Sequence, residues 1–203
     1  MPHLEKPLRL GFLASHGGSN LQAILDAIGS GVLPALAQVV ISNNSQAQAL
    51  KRAAALGVPG LHLSSHTHPD ADALDRAIVD ALRAHQVALV VLAGYMRKIG
   101  PRLLAAYPGR IVNIHPALLP RFGGQGMYGL HVHQAVLAAG ERETGATVHL
   151  VDSEYDRGAL LAQARVRVEP GDSPETLQQR VLTVEHRLYP ETLRKIAEGE
   201  ILL

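Results

Sequence analysis

Short apolar runs separated by helix-period stretches constrain this chain more than any other feature. Residues 8–14, 38–42, 87–93 and 110–114 carry apolar side chains without polar alternation, the pattern of strands covered on both faces. Leu74, Ala77, Ile78, Ala81 and Leu82 follow the i, i+3, i+4, i+7, i+8 spacing of an amphipathic helix. Such alternation predicts an α/β architecture: a Rossmann-like, mostly parallel twisted sheet with helices on both faces. Residues 146–151 and 160–168 read as two further strands, joined by the polar loop 152–158. A last helix opens at Ser173, a natural cap, with Pro174 in its first turn. Leu177, Val181, Val184 and Leu188 supply its buried face, and Pro190 is a candidate interruption.

The 203 residues suit one compact domain spanning 1–203. Nineteen basic against 18 acidic residues, no Trp and only two Phe lack the charge and stacking surface of a polynucleotide binder, so no nucleic-acid partner is expected. Without Cys there is no disulfide, thiolate metal site or cysteine nucleophile. The mixed-charge N-terminus precedes an apolar run too brief for a signal-peptide core, and no run approaches a membrane span. A cytoplasmic protein without a membrane partner is expected.

Ligands of open α/β sheets lie beyond the carboxyl ends of the strands. After the first strand comes Ser15-His16-Gly17-Gly18-Ser19-Asn20, then a helical pattern. Its glycines admit close backbone approach and its free helix-start amides suit a phosphate, with Ser19 and Asn20 as added donors; a plain capped turn is the alternative. The turn is neither G-x-G-x-x-G nor a Walker loop. Asn113 and His115, two apart at the end of another strand, point to one cleft. Acyl transfer to an amine needs a donor to the developing oxyanion and a group that moves protons, tasks that fit Asn113 and His115 respectively. Among 11 histidines, a hydrogen-bonded structural role for His115 is the competing reading. Asp156 is a candidate partner that orients His115 and raises its pKa, or else a turn aspartate. Glu185 falls on the buried stripe of the last helix and needs either an internal partner or a ligand. The pairs His66/His68 and His131/His133 lack a zinc pattern and read as surface or loop-anchoring residues. Residues 120–130, with four glycines, are the candidate lid.

Ser-His-Gly-Gly-Ser-Asn-Leu-Gln-Ala at 15–23, Val-Val-Leu-Ala-Gly-Tyr-Met-Arg at 90–97 and Asn-Ile-His-Pro-Ala-Leu-Leu-Pro at 113–120 occur in this order. Together they resemble the folate-dependent formyltransferase family. The likeness runs over residues 8–190 and includes Gly171-Asp172-Ser173 and Glu185-His186. The Gly-Ser-Asn turn resembles the branch whose acceptor is glycinamide ribonucleotide. The resemblance implies a formyltransferase-type fold, transfer of a formyl group from 10-formyltetrahydrofolate as cosubstrate, and no metal. It also implies a catalytic Asn113, His115 and Asp156. Gly18, Ser19 and Asn20 would hold the acceptor's phosphate, and Glu185 would contact the same substrate. The backbone of Met96, Arg97, Lys98 and Ile99 would border the pterin ring, with Asn113 and the loop from Asp152 to Asp156 beside it. The implied partners are these two small molecules, and a homodimer is compatible.

Three departures from the family pattern stand out. Residues 121–129 replace a short Pro-Gly-Leu-His connection, Ala71 stands where a basic folate contact is common, and Ala159 replaces a proline after Asp156-Arg157-Gly158. Rival readings are a formyltransferase acting on a nucleotide-linked amino sugar, a methionyl-tRNA formyltransferase, a formyltetrahydrofolate hydrolase and a noncatalytic nucleotide sensor. The expected basic C-terminal domain of the second and N-terminal regulatory domain of the third have no counterpart in these 203 residues.

Overall fold

A computed structural model describes residues 7–203; the mixed-charge stretch 1–6 lies outside them. The elements run β1 (Leu8–Ala14), α1 (Ser19–Gly29), β2 (Ala35–Ser42), α2 (Gln48–Ala55), β3 (Gly60–His62), α3 (Ala71–Ala84), β4 (Leu89–Leu92), α4 (Pro101–Ala106), β5 (Ile111–His115), α5 (Leu130–Ala138), β6 (Glu143–Leu150), β7 (Leu160–Arg167) and α6 (Pro174–Ala197). The strands form one sheet in the order β3-β2-β1-β4-β5-β6-β7. β1 to β5 are parallel, while β6 runs antiparallel to β5 and β7 antiparallel to β6. The order reverses between β1 and β4, so the crevice beyond their carboxyl ends is the natural ligand position.

Side-chain alternation divides the core between the two faces. Leu10, Phe12 and Ala14 of β1 pack with Leu21 and Ile24 of α1 and with Leu177, Val181 and Leu193 of α6. On the opposite face Leu13, Ile41, Val90 and Leu92 meet Ile78, Val79 and Leu82 of α3. The expected helices on both faces are therefore present, and the stripe predicted around residues 74–82 lies inside α3. Asp70 starts that helix by accepting from the Ala73 amide at 2.7 Å.

Helix α6 begins as expected: Ser173 and Thr176 form a reciprocal capping box. Asp172 receives two hydrogen bonds from the Arg180 guanidinium, at 2.6 and 2.8 Å, which gives the Gly171-Asp172-Ser173 segment a structural role. Pro190, expected as an interruption, lies inside the continuous helix. It cannot donate to the carbonyl one turn back, but packing on both sides compensates. The buried Tyr189 hydroxyl donates within reach of the carbonyls of Leu92 and Val112, at 3.1 and 3.0 Å, and Leu193 is fully buried.

Candidate active site

A cleft of about 560 Å³ opens beyond the carboxyl ends of β1, β4 and β5. Its wall includes Gly18, Ser19 and Asn20, Met96 and Arg97, Asn113 and His115, Asp156, and Glu185. Four separately predicted constellations thus meet in one volume, within the usual size range of small-molecule sites.

At the phosphate-suited end, Gly18 takes a left-handed φ of 66° and a side chain there would press on Ala49 of α2. Both facts favour glycine. No side chain caps α1, so its first amides are left for a ligand. Asn20 instead turns its amide to Glu185, donating from Nδ2 to Oε2 at 2.6 Å. Glu185 therefore has an internal partner and also lines the cleft. Burial pushes its carboxyl above the ordinary value, opposed by the Asn20 hydrogen bond.

At the other end, β5 presents Asn113 and His115 together, and its antiparallel neighbour β6 places His149 opposite Asn113 and Thr147 opposite His115. His149 is a member of the site that sequence reasoning missed; its strand is readable from the sequence, but its place opposite Asn113 depends on the register between β5 and β6. The Leu150 carbonyl can only accept, so Nδ1 of His149, 2.8 Å away, carries a proton. In the neutral ring Nε2 then accepts from Asn113 Nδ2 at 3.2 Å. That contact orients the Asn113 amide and leaves its second N–H available.

His115 is only 3% exposed. Its Nε2 lies 2.7 Å from the Phe122 carbonyl, which fixes a proton on Nε2, and its Nδ1 lies 3.5 Å from Asp156 Oδ2. The other Asp156 oxygen is 3.5 Å from His149 Nε2, and the Gly124 amide donates to Oδ2 at 2.9 Å. The 120–130 segment thus touches both members of the pair. Phe122 and Asp156 hold left-handed φ values of 57° and 56°, strained for side-chain-bearing residues and concentrated at this centre.

The expected rise in the His115 pKa is not what the surroundings produce. Burial pulls it below the ordinary histidine value and outweighs the Asp156 carboxylate and the Phe122 carbonyl, both of which favour the cation. The resting ring is therefore neutral at neutral pH, with Asp156 reducing the cost of protonation rather than enforcing it. Asp156 is held below the usual carboxylate value: burial alone would raise it, but the His149 ring 3.5 Å away, the proximity of His115 and the Gly124 amide together prevail.

His133, read as a surface or loop-anchoring residue, is instead buried in the cleft wall at 1% exposure. Burial and then the nearby His115 lower its pKa to about 4. Its partner in the pair, His131, is exposed and tilts against the Tyr128 ring. Among the described residues no group of three or more His, Cys, Asp or Glu is arranged to hold a metal ion.

Beside the end of β4, the buried Ser15 hydroxyl accepts from the Met96 amide at 2.8 Å and donates to Asn43 at 2.6 Å, which fixes the segment after β4 to the end of β1. Met96 and Arg97 border the cleft, whereas Lys98 borders a neighbouring cavity of about 520 Å³ and Ile99 is buried in the α3-side core. Asp152 is not brought to the cleft; its side chain accepts from the Glu154 amide within its own loop. Tyr155 from that loop does reach the cleft, with the Lys98 ammonium 5.6 Å from its ring centre.

The formyl transferase family pattern matches residues 8–193. The chain is 41% identical to the phosphoribosylglycinamide formyltransferase, chloroplastic, of Arabidopsis thaliana over 98% of its own length and 68% of that protein's. It is 40% identical to the trifunctional purine biosynthetic protein adenosine-3 of Drosophila pseudoobscura pseudoobscura, matching 95% of this chain but spanning only 14% of that protein. Among solved structures, glycinamide ribonucleotide transformylase 1 from Symbiobacterium toebii superposes with a TM-score of 0.93 at 42% identity, covering 100% of this chain and 93% of the other.

Proposed function

The chain belongs to the formyl transferase family, and on that premise we propose that it transfers the formyl group of 10-formyltetrahydrofolate to the amine of glycinamide ribonucleotide. The products are formylglycinamide ribonucleotide and tetrahydrofolate, a step of purine biosynthesis. The observation that carries this reading is the convergence of Asn113, His115 and Asp156 with the Gly18–Asn20 turn and Glu185 in one cleft. A proton-moving centre and an anion-suited turn at its two ends match an amine acceptor that bears a phosphate.

The acceptor's amine attacks the formyl carbon, and the carbonyl oxygen takes the displaced electron pair. Asn113 donates to that oxyanion through the N–H not engaged by His149. The attacking nitrogen loses a proton to Nδ1 of His115, the ring atom left basic by the Phe122 contact, directly or through water. Asp156 stabilises the resulting imidazolium. The intermediate then collapses, the bond from carbon to the folate nitrogen breaks, and that nitrogen receives the proton. Gly18, Ser19 and Asn20 hold the phosphate, Glu185 accepts from the acceptor, and Met96 and Arg97 on one side and the loop carrying Tyr155 and Asp156 on the other flank the pterin. The compartment proposed for this reaction is the cytoplasm. A homodimer remains compatible with it, and light scattering on the purified chain measures that state.

The pH profile has a defined sign. The base must be neutral, so kcat/KM for the acceptor falls as pH drops through the His115 pKa, with a midpoint below the ordinary histidine value. Replacing Asp156 with asparagine removes an influence that raises this pKa, and the acid limb of its residual activity is expected to move to still lower pH. A limb that stays in place or moves upward contradicts the His115–Asp156 assignment. For the acceptor itself, initial rates with glycinamide ribonucleotide, a nucleotide-linked amino sugar and water provide the comparison. The first is expected to exceed the others by orders of magnitude; comparable rates would overturn the assignment.

A further inference from the structure

The phosphate-suited turn is clamped from behind by α2, and the clamp is directional. Ala49 donates its backbone N–H to the His16 carbonyl at 3.1 Å, and Arg52 donates Nε–H to the Gly17 carbonyl at 2.9 Å. Two successive carbonyls are thus drawn to α2. In a trans peptide the carbonyl and the following N–H point in opposite directions, so the amides of Gly17 and Gly18 are turned away from α2. Among the described residues, the amides of Gly17, Gly18, Ser19 and Asn20 donate to no other backbone group. A run of unengaged amides of this kind is an anion-binding arrangement.

Arg52 makes one more contact, from NH1 to Gln22 Oε1 at 3.1 Å. Both of its partners are neutral, so no carboxylate among them cancels its charge. His186 stands nearby on α6; burial first, and the Arg52 charge second, keep its imidazole below the ordinary value. This side of the turn consequently carries the Arg52 cation beside a neutral ring.

Resting on the acceptor reading above, we propose that Arg52 is a positioning residue of the phosphate subsite. Its guanidinium holds the Gly17–Gly18 peptide with the amide toward the acceptor's phosphate, and it adds a full positive charge behind the turn. Arg52 itself does not line the cleft; it acts through the turn.

The test compares glycinamide ribonucleotide with its phosphate-free riboside for the unsubstituted protein, Arg52→Gln and Arg52→Lys. For Arg52→Gln, the KM for the ribonucleotide is expected to rise about tenfold, the weight of one charge-assisted hydrogen bond. Its kcat and its KM for the formyl donor should stay within about twofold, a change too small to represent a lost interaction of that weight. With the riboside, kcat/KM should match that of the unsubstituted protein. Arg52→Lys keeps the charge but not the two-pronged geometry, and is expected to lose less while keeping the same selectivity for the phosphorylated acceptor. If Arg52→Gln fails to fold, the selectivity of Arg52→Lys decides. Equal losses on both acceptors, or none on either, would overturn the proposal. Failure of the unsubstituted protein to formylate the ribonucleotide would instead overturn the acceptor reading, a separate result.

Discussion

Replacement of His115 with alanine is expected to lower kcat by about 10²–10⁴ while leaving the KM values within a few-fold, the scale of a lost general acid–base group. The position has no substitute. His133 lies in the same wall, but burial and then the nearby His115 pull its pKa down to about 4, which makes it a poor base. His149 has its Nδ1 committed to the Leu150 carbonyl and its Nε2 to Asn113. Steady-state kinetics with both substrates measure the loss, and circular dichroism checks the fold. A correctly folded variant retaining a tenth or more of the activity, well above the range given, would remove His115 from the centre of the mechanism.

Gly158→Ala is the second change with a large expected effect, and its origin is steric. A Cβ at this position would overlap the Leu150 carbonyl oxygen and crowd its carbon, both backbone atoms of β6 that cannot swing aside. The close approach exists because the Leu150 amide donates to the Ala159 carbonyl at 2.8 Å, which anchors the end of the loop carrying Asp156. Relief of the overlap must therefore move that loop. A loss of about 1–3 kcal/mol is expected, as for other overpacked positions, readable as a lower midpoint in urea. Because the displaced segment bears the carboxylate opposite His115, kcat should fall as well. Unchanged stability and turnover together would show that the loop end is not held as described.

Much of this architecture was legible in the residue pattern because buried parallel strands and amphipathic helices leave periodic signals. The stripe through Leu74, Ile78 and Leu82 and the cap at Ser173 are local features, and both elements stand where they were expected. β3 was not legible: three residues at the sheet edge are too few to show a period. Pro190 misleads for the opposite reason, since its local preference is overridden by Tyr189 and Leu193 packing against the sheet and its neighbours.

The site divides in the same way. Asn113 and His115 could be paired from their spacing on one strand, but the role of His149 depends on the register between β5 and β6, which no local pattern encodes. The partner of Glu185 lies 165 residues away, at Asn20. The direction of the His115 pKa depends on how deeply the 120–130 segment and the sheet bury the ring, which the nearby Asp156 alone does not reveal. Lys98, Ile99 and Asp152 show the limit of motif transfer: a segment can lie in the right place while individual side chains point to a neighbouring cavity, to the core or back into their own loop.

The most direct measurement follows the formyl carbon itself. 10-Formyltetrahydrofolate labelled in its formyl group is incubated with the purified chain, with and without glycinamide ribonucleotide, and the label is located by mass spectrometry. The account predicts one labelled formylglycinamide ribonucleotide for each tetrahydrofolate formed, and little turnover when the acceptor is omitted. Release of the label as formate at the same rate with and without acceptor would contradict it, and would show that the cleft delivers the formyl group to water.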